Sequence, residues 1–211
     1  MTGQLGDMRR DYSLETLDID TADPDPVRML EQWLTRAREL SVLEANAMVL
    51  ATVDQHGHPA ARTVLLKDLD DRGLVFFTNY GSRKGRDIAA NPLAALVFTW
   101  LPLERQVRIE GEVEKVSPED SEAYFATRPR GSQIGAVASP QSEPVPDRAW
   151  LETRFASLEA SDEMIKRPEA WGGYRVVPRM IEFWQGRRNR LHDRLRYDRT
   201  PDGWEIIRLA P

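Results

Sequence analysis

Residues 187–196 read RRNRLHDRLR, which crowds five arginines around one of the chain's three histidines. A guanidinium keeps its proton in any protein, so a row of arginines organises anions and shuttles no protons. His192 is the one group in the row able to titrate near neutrality. On a strand, Arg190, His192, Arg194 and Arg196 would share one face, with Leu191, Asp193 and Leu195 on the other. That pattern fits an anion site. It equally fits an edge strand kept soluble by charge, its arginines paired with carboxylates elsewhere.

Three more stretches offer donors suited to anions. GSRKG at 81–85 sets Arg83 and Lys84 between glycines at the start of a helix. Free N–H groups and the helix dipole favour a phosphate there, although the run matches neither the Walker A pattern nor the dinucleotide fingerprint. A solvated helix start is the bland alternative. In ARTVLLK, Arg62 and Lys67 stand five apart on a β-prone run. On an ideal strand they point to opposite faces, so without a bulge they would serve two neighbouring anions and not one. RPRGSQ follows a helix that bears Tyr124, and it combines Arg128, Arg130 and Ser132 as charge-assisted donors with a hydroxyl. His56 and His58 form an H-x-H pair beside Gly57 and Pro59. With no third ligand in view, they read as turn residues and not as metal ligands.

The elements that must position these groups follow from periodicity. A polar segment to Thr21 predicts a mobile arm. Asp25 as N-cap and Pro26 at the first helical position open a helix carrying Val27, Leu30, Trp33, Leu34, Ala37 and Leu40 at helical spacing. Strands are expected over 47–53, 60–67, 74–79, 93–100 and 105–116, with a short helix from Ser82 between the third and fourth. Ser117 and Asp120 resemble a capping box, and residues 131–165 are polar and helix-prone. GGYRVVP, MIEFWQG, LHDRLRY and GWEIIRLA close the chain as strands. About eight strands on short turns imply an antiparallel sheet, closed or nearly so, with peripheral helices. The fold class is therefore mainly β (α+β): an arm over residues 1–21, then a single domain over 22–211.

Composition narrows the function. The chain has 211 residues, 41% hydrophobic and 30% charged, and a net charge of −5. That balance argues against a general nucleic-acid or membrane-surface binder. The absence of cysteine excludes disulfides, thiolate catalysis and cysteine-held metals, and fits a reducing compartment. No run approaches a spanning helix or a signal peptide, so a cytoplasmic protein is expected.

RTVLLK, FFTNYGSRKG, LERQV, YFATRPRGSQIGA, QSEPV, WGGYRV, IEFWQGRRNRLHDR and RLAP occur in that order. Together they resemble the pyridoxine (pyridoxamine) 5′-phosphate oxidase family, from about the first helix to the last residue. The resemblance implies an FMN-binding split β-barrel, a homodimer with the flavin at the subunit interface, and oxidation of pyridoxamine 5′-phosphate or pyridoxine 5′-phosphate by O2. It implies FMN contacts at Arg62, Thr63, Val64, Leu65, Leu66, Lys67, Phe77, Thr78, Arg83, Lys84, Gln106, Gln141 and Ser142, with Trp184 and Arg194 reaching the flavin from the other subunit. Lys67, Tyr124, Arg128 and Ser132 match its substrate-phosphate site. Arg190 and His192, with Leu191 between them, match the residues that hold the pyridine ring. MRRDY resembles its substrate-covering segment and implicates Arg9, Arg10 and Tyr12. The chain departs from the pattern at Pro140, directly before Gln141, and in the acidic, proline-rich stretch from Thr21 to Val27. A flavin or deazaflavin reductase, a non-catalytic flavin or pyridoxal-phosphate binder, and a nucleic-acid module built on the arginine strand are the competing readings.

Overall fold

The computed structural model describes residues 11–161 and 163–211. The expected Arg9 and Arg10 lie outside the described residues. Helix α1 spans Pro26–Glu39, and its N-cap is the Asp25 side chain, which accepts the Val27 N–H. Strands β1 (Ala47–Val53), β2 (Pro59–Leu65), β3 (Asp68–Asp70) and β4 (Gly73–Asn79) follow. Helix α2 (Arg83–Ala90) precedes β5 (Leu93–Trp100) and β6 (Arg105–Lys115). Helices α3 (Pro118–Thr127), α4 (Arg130–Ala138) and α5 (Arg148–Glu159) lead to β7 (Trp171–Gln185), β8 (Asp193–Thr200) and β9 (Gly203–Arg208). The strands are hydrogen-bonded in the order β2-β1-β5-β6-β7-β4-β3, with β8 on β7 and β9 on β8. The pairs β3–β4, β4–β7, β7–β8 and β8–β9 are antiparallel.

Two expectations need correction. The closing strands GGYRVVP and MIEFWQG are one strand, β7, running through Pro178. Proline cannot donate to a ladder. Here β4 pairs with residues up to Val176 and β8 only from Met180 onward, so Pro178 falls between the two partners. The second correction concerns RNRLHDR. Arg188–Arg190 form a 3₁₀ turn, and Asn189 and Arg190 have φ of 58° and 63°, so β8 begins only at Asp193. Consecutive residues at positive φ cannot continue a strand. Arg190 and His192 therefore do not share a strand face with Arg194 and Arg196, and Leu191 is 67% exposed instead of half-buried. Within β8 the alternation holds, with Leu195 and Tyr197 fully buried.

The chain forms two compact units. One comprises the chain up to Val49 with Ala95–Glu110 and Pro178–Pro211. Its core is aromatic: Trp33 of α1 meets Phe183 edge-on at 5.1 Å, and Phe183 meets Tyr197 at 5.5 Å. The Tyr197 hydroxyl donates to the Asp23 carbonyl, and Trp100 donates to the Ala45 carbonyl, so both buried polar tips are satisfied. The other unit comprises Leu50–Ala94 and Gly111–Val177. There β4 pairs with β7, Leu74 opposite Val176 and Phe76 opposite Tyr174, and all four are buried. No described helix is long and apolar enough to cross a membrane.

Candidate active site

In the second unit, the Ser82 side chain caps α2 by accepting the Gly85 N–H. Gly85 is required there: a Cβ would stand 2.0 Å from the Tyr80 carbonyl oxygen. This close turn brings Lys84 back over β4. Its ammonium donates to Thr78 Oγ1 at 3.2 Å, Gln141 Oε1 at 3.3 Å and Ser82 Oγ at 3.4 Å. Thr78 Oγ1 also donates to Gln141 Oε1 at 2.9 Å. Thus Thr78, Lys84 and Gln141, separate in sequence, converge. Ser142, next to Gln141, has a φ of 73°, a left-handed conformation that side chains rarely adopt.

Arg62 on β2 is held by groups that the sequence did not single out. Its Nη1 donates to Thr52 Oγ1 at 2.6 Å and to the Leu50 carbonyl at 3.3 Å. Thr52 in turn donates to Asp87 Oδ2 at 2.7 Å, which lies 3.5 Å from Arg62 Nη2. Burial, and then the neighbouring positive charge of Arg83, lower the Arg62 pKa, against the pull of Asp87. Burial and the charge of Arg62 likewise lower that of Lys84. Arg62 and Lys84 thus share one buried carboxylate, with the exposed Arg83 close by, and that surplus of positive charge at a helix start suits a phosphate. Thr63 and Lys67 are exposed, while Val64 and Leu65 are half-buried and Leu66 is buried. Arg83 is exposed.

Lys67 leaves the line of Arg62 because β2 ends at Leu65 and the Lys67 N–H turns to the Val75 carbonyl. It borders a cavity of about 360 Å³ together with Phe77 and Tyr124, among others. Phe77 and Tyr124 stack at 3.9 Å. Arg128 and Ser132 do not border this cavity. Arg128 instead lies over the Trp171 ring at 4.7 Å and the Phe125 ring at 5.7 Å. Its Nη1 is buried with no hydrogen-bond partner among the described residues, and burial lowers its pKa. Arg130 is committed differently, to the carbonyls of Ser161 and Glu163. Its part in the expected anion trio is therefore structural. His56 and His58 sit in a turn around Asp54, whose carboxylate accepts both backbone N–H groups.

In the first unit, Trp184 and His192 pack at 4.6 Å, and Tyr12 meets each edge-on at 5.8 Å. The Arg187 N–H donates to His192 Nδ1 at 3.1 Å. A neutral ring in that contact keeps its proton on Nε2, which is left as the donor. Burial and the Arg190 charge hold the His192 pKa below its usual value. Arg194 is oriented by Glu182, a buried carboxylate that accepts from Arg194 Nε and from Arg108 Nη2, both at 2.8 Å. Three of the five arginines thus have carboxylate partners: Arg194 with Glu182, Arg196 with Asp198, Arg187 with Asp193. Among the described residues none pairs with Arg188 or Arg190. Gln106 stands on the half-exposed side of β6.

Comparison with known proteins places this geometry. The family model described as pyridoxamine 5′-phosphate oxidase matches residues 34–162. A second, described as the pyridoxine 5′-phosphate oxidase C-terminal dimerisation region, matches residues 171–211. The chain belongs to the pyridoxamine 5′-phosphate oxidase family. A pyridoxine/pyridoxamine 5′-phosphate oxidase from Ralstonia nicotianae is 57% identical over 209 residues, covering 98% of this chain and 99% of that protein. Among solved structures, PhzG from Burkholderia lata 383, in complex with tetrahydrophenazine-1-carboxylic acid, superposes with a TM-score of 0.90 at 31% identity. That match covers 94% of this chain and all of that one. An FMN-binding oxidase-related protein from Nostoc punctiforme shares the fold, with a TM-score of 0.71 at 19% identity over 93% of this chain. The expected split barrel is the fold of this oxidase family and of this chain.

Thr52, Asp87 and Glu182 escaped the sequence reading. Asp87 stands four residues after Arg83 on α2, a spacing legible as a helix-face pair; nothing local marked Thr52 or Glu182.

Proposed function

We propose that this protein oxidises pyridoxamine 5′-phosphate and pyridoxine 5′-phosphate to pyridoxal 5′-phosphate, with FMN as cofactor and O2 as acceptor; for the amine, water hydrolyses the imine, supplying the aldehyde oxygen and releasing ammonia. The observation that carries the reading is a pair of separate cation sites, each short of anions. Among the described residues, Arg62 and Lys84 share Asp87 with Arg83 close by, and Arg128 has a buried nitrogen without a partner. Two phosphates, one on the cofactor and one on the substrate, answer two such sites. The full-length relatives named for this reaction support the same assignment.

Arg62, Arg83 and Lys84 hold the FMN phosphate, and Thr78 and Gln141 supply neutral polar contacts beside it. FMN, when bound, supplies the two-electron acceptor for the substrate C4′–H bond and passes the electrons to dioxygen, giving hydrogen peroxide. Arg128, Lys67, Tyr124 and Ser132 anchor the substrate phosphate, which uses remote binding energy to align C4′. Arg190 and His192 hold the pyridine ring. With Nδ1 occupied by the Arg187 N–H, His192 donates from Nε2 and orients the ring; it removes no proton. Trp184 and Arg194 complete the site from the partner subunit, in keeping with a dimerisation region over residues 171–211. The cysteine-free sequence fits work in the reducing cytoplasm.

PhzG suggests one rival, since its ligand is a carboxylate and the Arg128 guanidinium could receive one. The deciding experiment is the absorption spectrum of the purified protein, followed by oxygen uptake with each phosphate ester and with tetrahydrophenazine-1-carboxylic acid. A yellow protein that releases FMN and consumes oxygen with pyridoxamine 5′-phosphate is expected. FAD or a deazaflavin in its place, or turnover of the phenazine alone, would overturn the assignment.

A further inference from the structure

Glu104 is an unusual residue for its place. It joins a 3₁₀ turn, Leu101–Leu103, to β6 with φ 54° and ψ 38°. Turn chemistry alone would select glycine or asparagine in this left-handed conformation. The side chain is only 5% exposed, yet among the described residues no cation pairs with it. The adjacent Arg105 is committed to Glu15 and Gln185. The Glu104 carboxylate accepts two consecutive amides from the N-terminal segment instead, Ser13 N–H at 2.8 Å and Leu14 N–H at 3.1 Å on one oxygen. Its own carbonyl receives the Gly186 N–H at 2.7 Å and Gln185 Nε2 at 3.2 Å, so the residue is a fixed post. A buried carboxylate is tolerable only where such donors satisfy it.

The same place shows a matching gap. A Cβ on Gly186 would stand 2.8 Å from Tyr12 Cγ and 3.0 Å from Glu104 Cβ. Glycine there leaves room for the Tyr12 ring, one residue before Ser13, to reach Trp184 and His192. Farther along, the Leu17 N–H donates to Asp193 and the Leu17 carbonyl accepts from Arg208. Those two bonds fix the far end of the segment, whereas Glu104 fixes the end next to Tyr12.

We propose that Glu104 is a positioning residue for the reaction: its carboxylate clamps the Ser13–Leu14 backbone and thereby sets Tyr12 over the substrate ring beside His192. This rests on the reading that Tyr12 covers the substrate. Glu104 touches neither substrate nor cofactor and acts through Tyr12.

Hydrogen exchange and steady-state kinetics on the FMN-loaded dimer separate the two layers. In Glu104→Ala the Ser13 and Leu14 amides should exchange about tenfold faster or more, as expected for losing a charge-assisted bond. KM for pyridoxamine 5′-phosphate should rise about three- to tenfold while kcat changes little. Glu104→Gln, which keeps the shape and an acceptor, should recover part of both effects. In a Tyr12→Ala background, Glu104→Ala should add nothing to KM, because the route through Tyr12 is already cut. Gly186→Ala crowds the Tyr12 ring and the Glu104 Cβ together while keeping the carboxylate itself, and should raise KM if the protein folds as before. Unchanged exchange at Ser13 and Leu14 in Glu104→Ala would overturn the clamp. Faster exchange with unchanged KM would also overturn the proposal, and would place the fault in the substrate-covering reading. A Glu104→Ala effect on KM that persists in full without Tyr12 would assign Glu104 a different role.

Discussion

Arg128 and Arg190 are both arginines beside aromatic or imidazole rings, yet they should fail differently when removed. In the proposed function Arg128 holds the substrate phosphate, a group that does not change during reaction, so Arg128→Ala should lose about 1.5–3 kcal/mol of anchoring, about ten- to a hundredfold, mostly in KM. Arg190 stands at φ 63° in a turn, a conformation that costs roughly 1–3 kcal/mol and is kept where the surroundings enforce it. Its charge lies close enough to His192 to help lower that ring's pKa. Arg190→Ala should therefore lower the rate of anaerobic flavin reduction at saturating pyridoxamine 5′-phosphate while FMN stays bound. A wild-type reduction rate would show that the reacting ring is held elsewhere. His192 carries its own pH test. Burial first, then Arg190, depress its pKa from 6.5, so the neutral ring predominates at pH 7. A depressed pKa means that its contribution to stability is present above the unfolded value and is lost as pH falls through the folded one. Nitrogen NMR should find the proton on Nε2 at pH 7 and a titration midpoint below 6.5 that rises in Arg190→Ala.

The elements position these side chains through a few tight approaches, and α2 depends most on one. Gly85→Ala would drive a methyl group into the Tyr80 carbonyl, which is backbone and cannot swing aside. Overpacking of that kind costs about 1–3 kcal/mol. Urea titration should show a lower midpoint with the same slope, and fluorescence titration should show weaker FMN binding, since the Lys84 end of α2 must move. Much of this layer was legible in the sequence. The cap at Asp25, the cap at Ser117 and the limits of β1 and β5 follow from side-chain chemistry and alternation that act within a few residues. Two of the misreadings depended on partners remote in sequence, and one on a side chain that takes a nearby backbone amide. Pro178 is accommodated inside β7 by where β4 and β8 happen to stop. RNRLH leaves the strand because the His192 ring takes the Arg187 amide, and alternation cannot reveal a side chain that replaces a ladder bond. Arg130 was expected to face an anion, but the carbonyls that bind it lie about 31 to 33 residues away.

At the scale of the whole molecule, an acidic chain keeps its arginines useful by pairing most of them and leaving a few without a carboxylate. Arg194, Arg196 and Arg187 have partners, whereas Arg128, Arg188 and Arg190 have none among the described residues. The clusters of anion-suited donors were legible as residue types, and the family was legible as eight motifs in order. Which arginines are free was not, because pairing is decided by remote carboxylates such as Glu182 on β7. The candidate cation sites also bear on assembly. If Arg62 holds the FMN phosphate from one chain while Trp184 and Arg194 complete the same site from the other, no single chain owns a working site. Arg62→Ala and Arg194→Ala should each be inactive or nearly so as homodimers. Mixed and allowed to exchange, they form heterodimers in which one site carries both lesions and the other carries none. Random exchange gives about half mixed dimers with one intact site of two, so activity should return to about a quarter of wild type. The measurement is oxygen uptake after exchange, with heterodimer formation followed by two different affinity tags. Recovery to that level requires that Arg62 and Arg194 serve one site from different chains. If verified heterodimers stay as inactive as their parents, both arginines act within a single chain and the shared site is refuted.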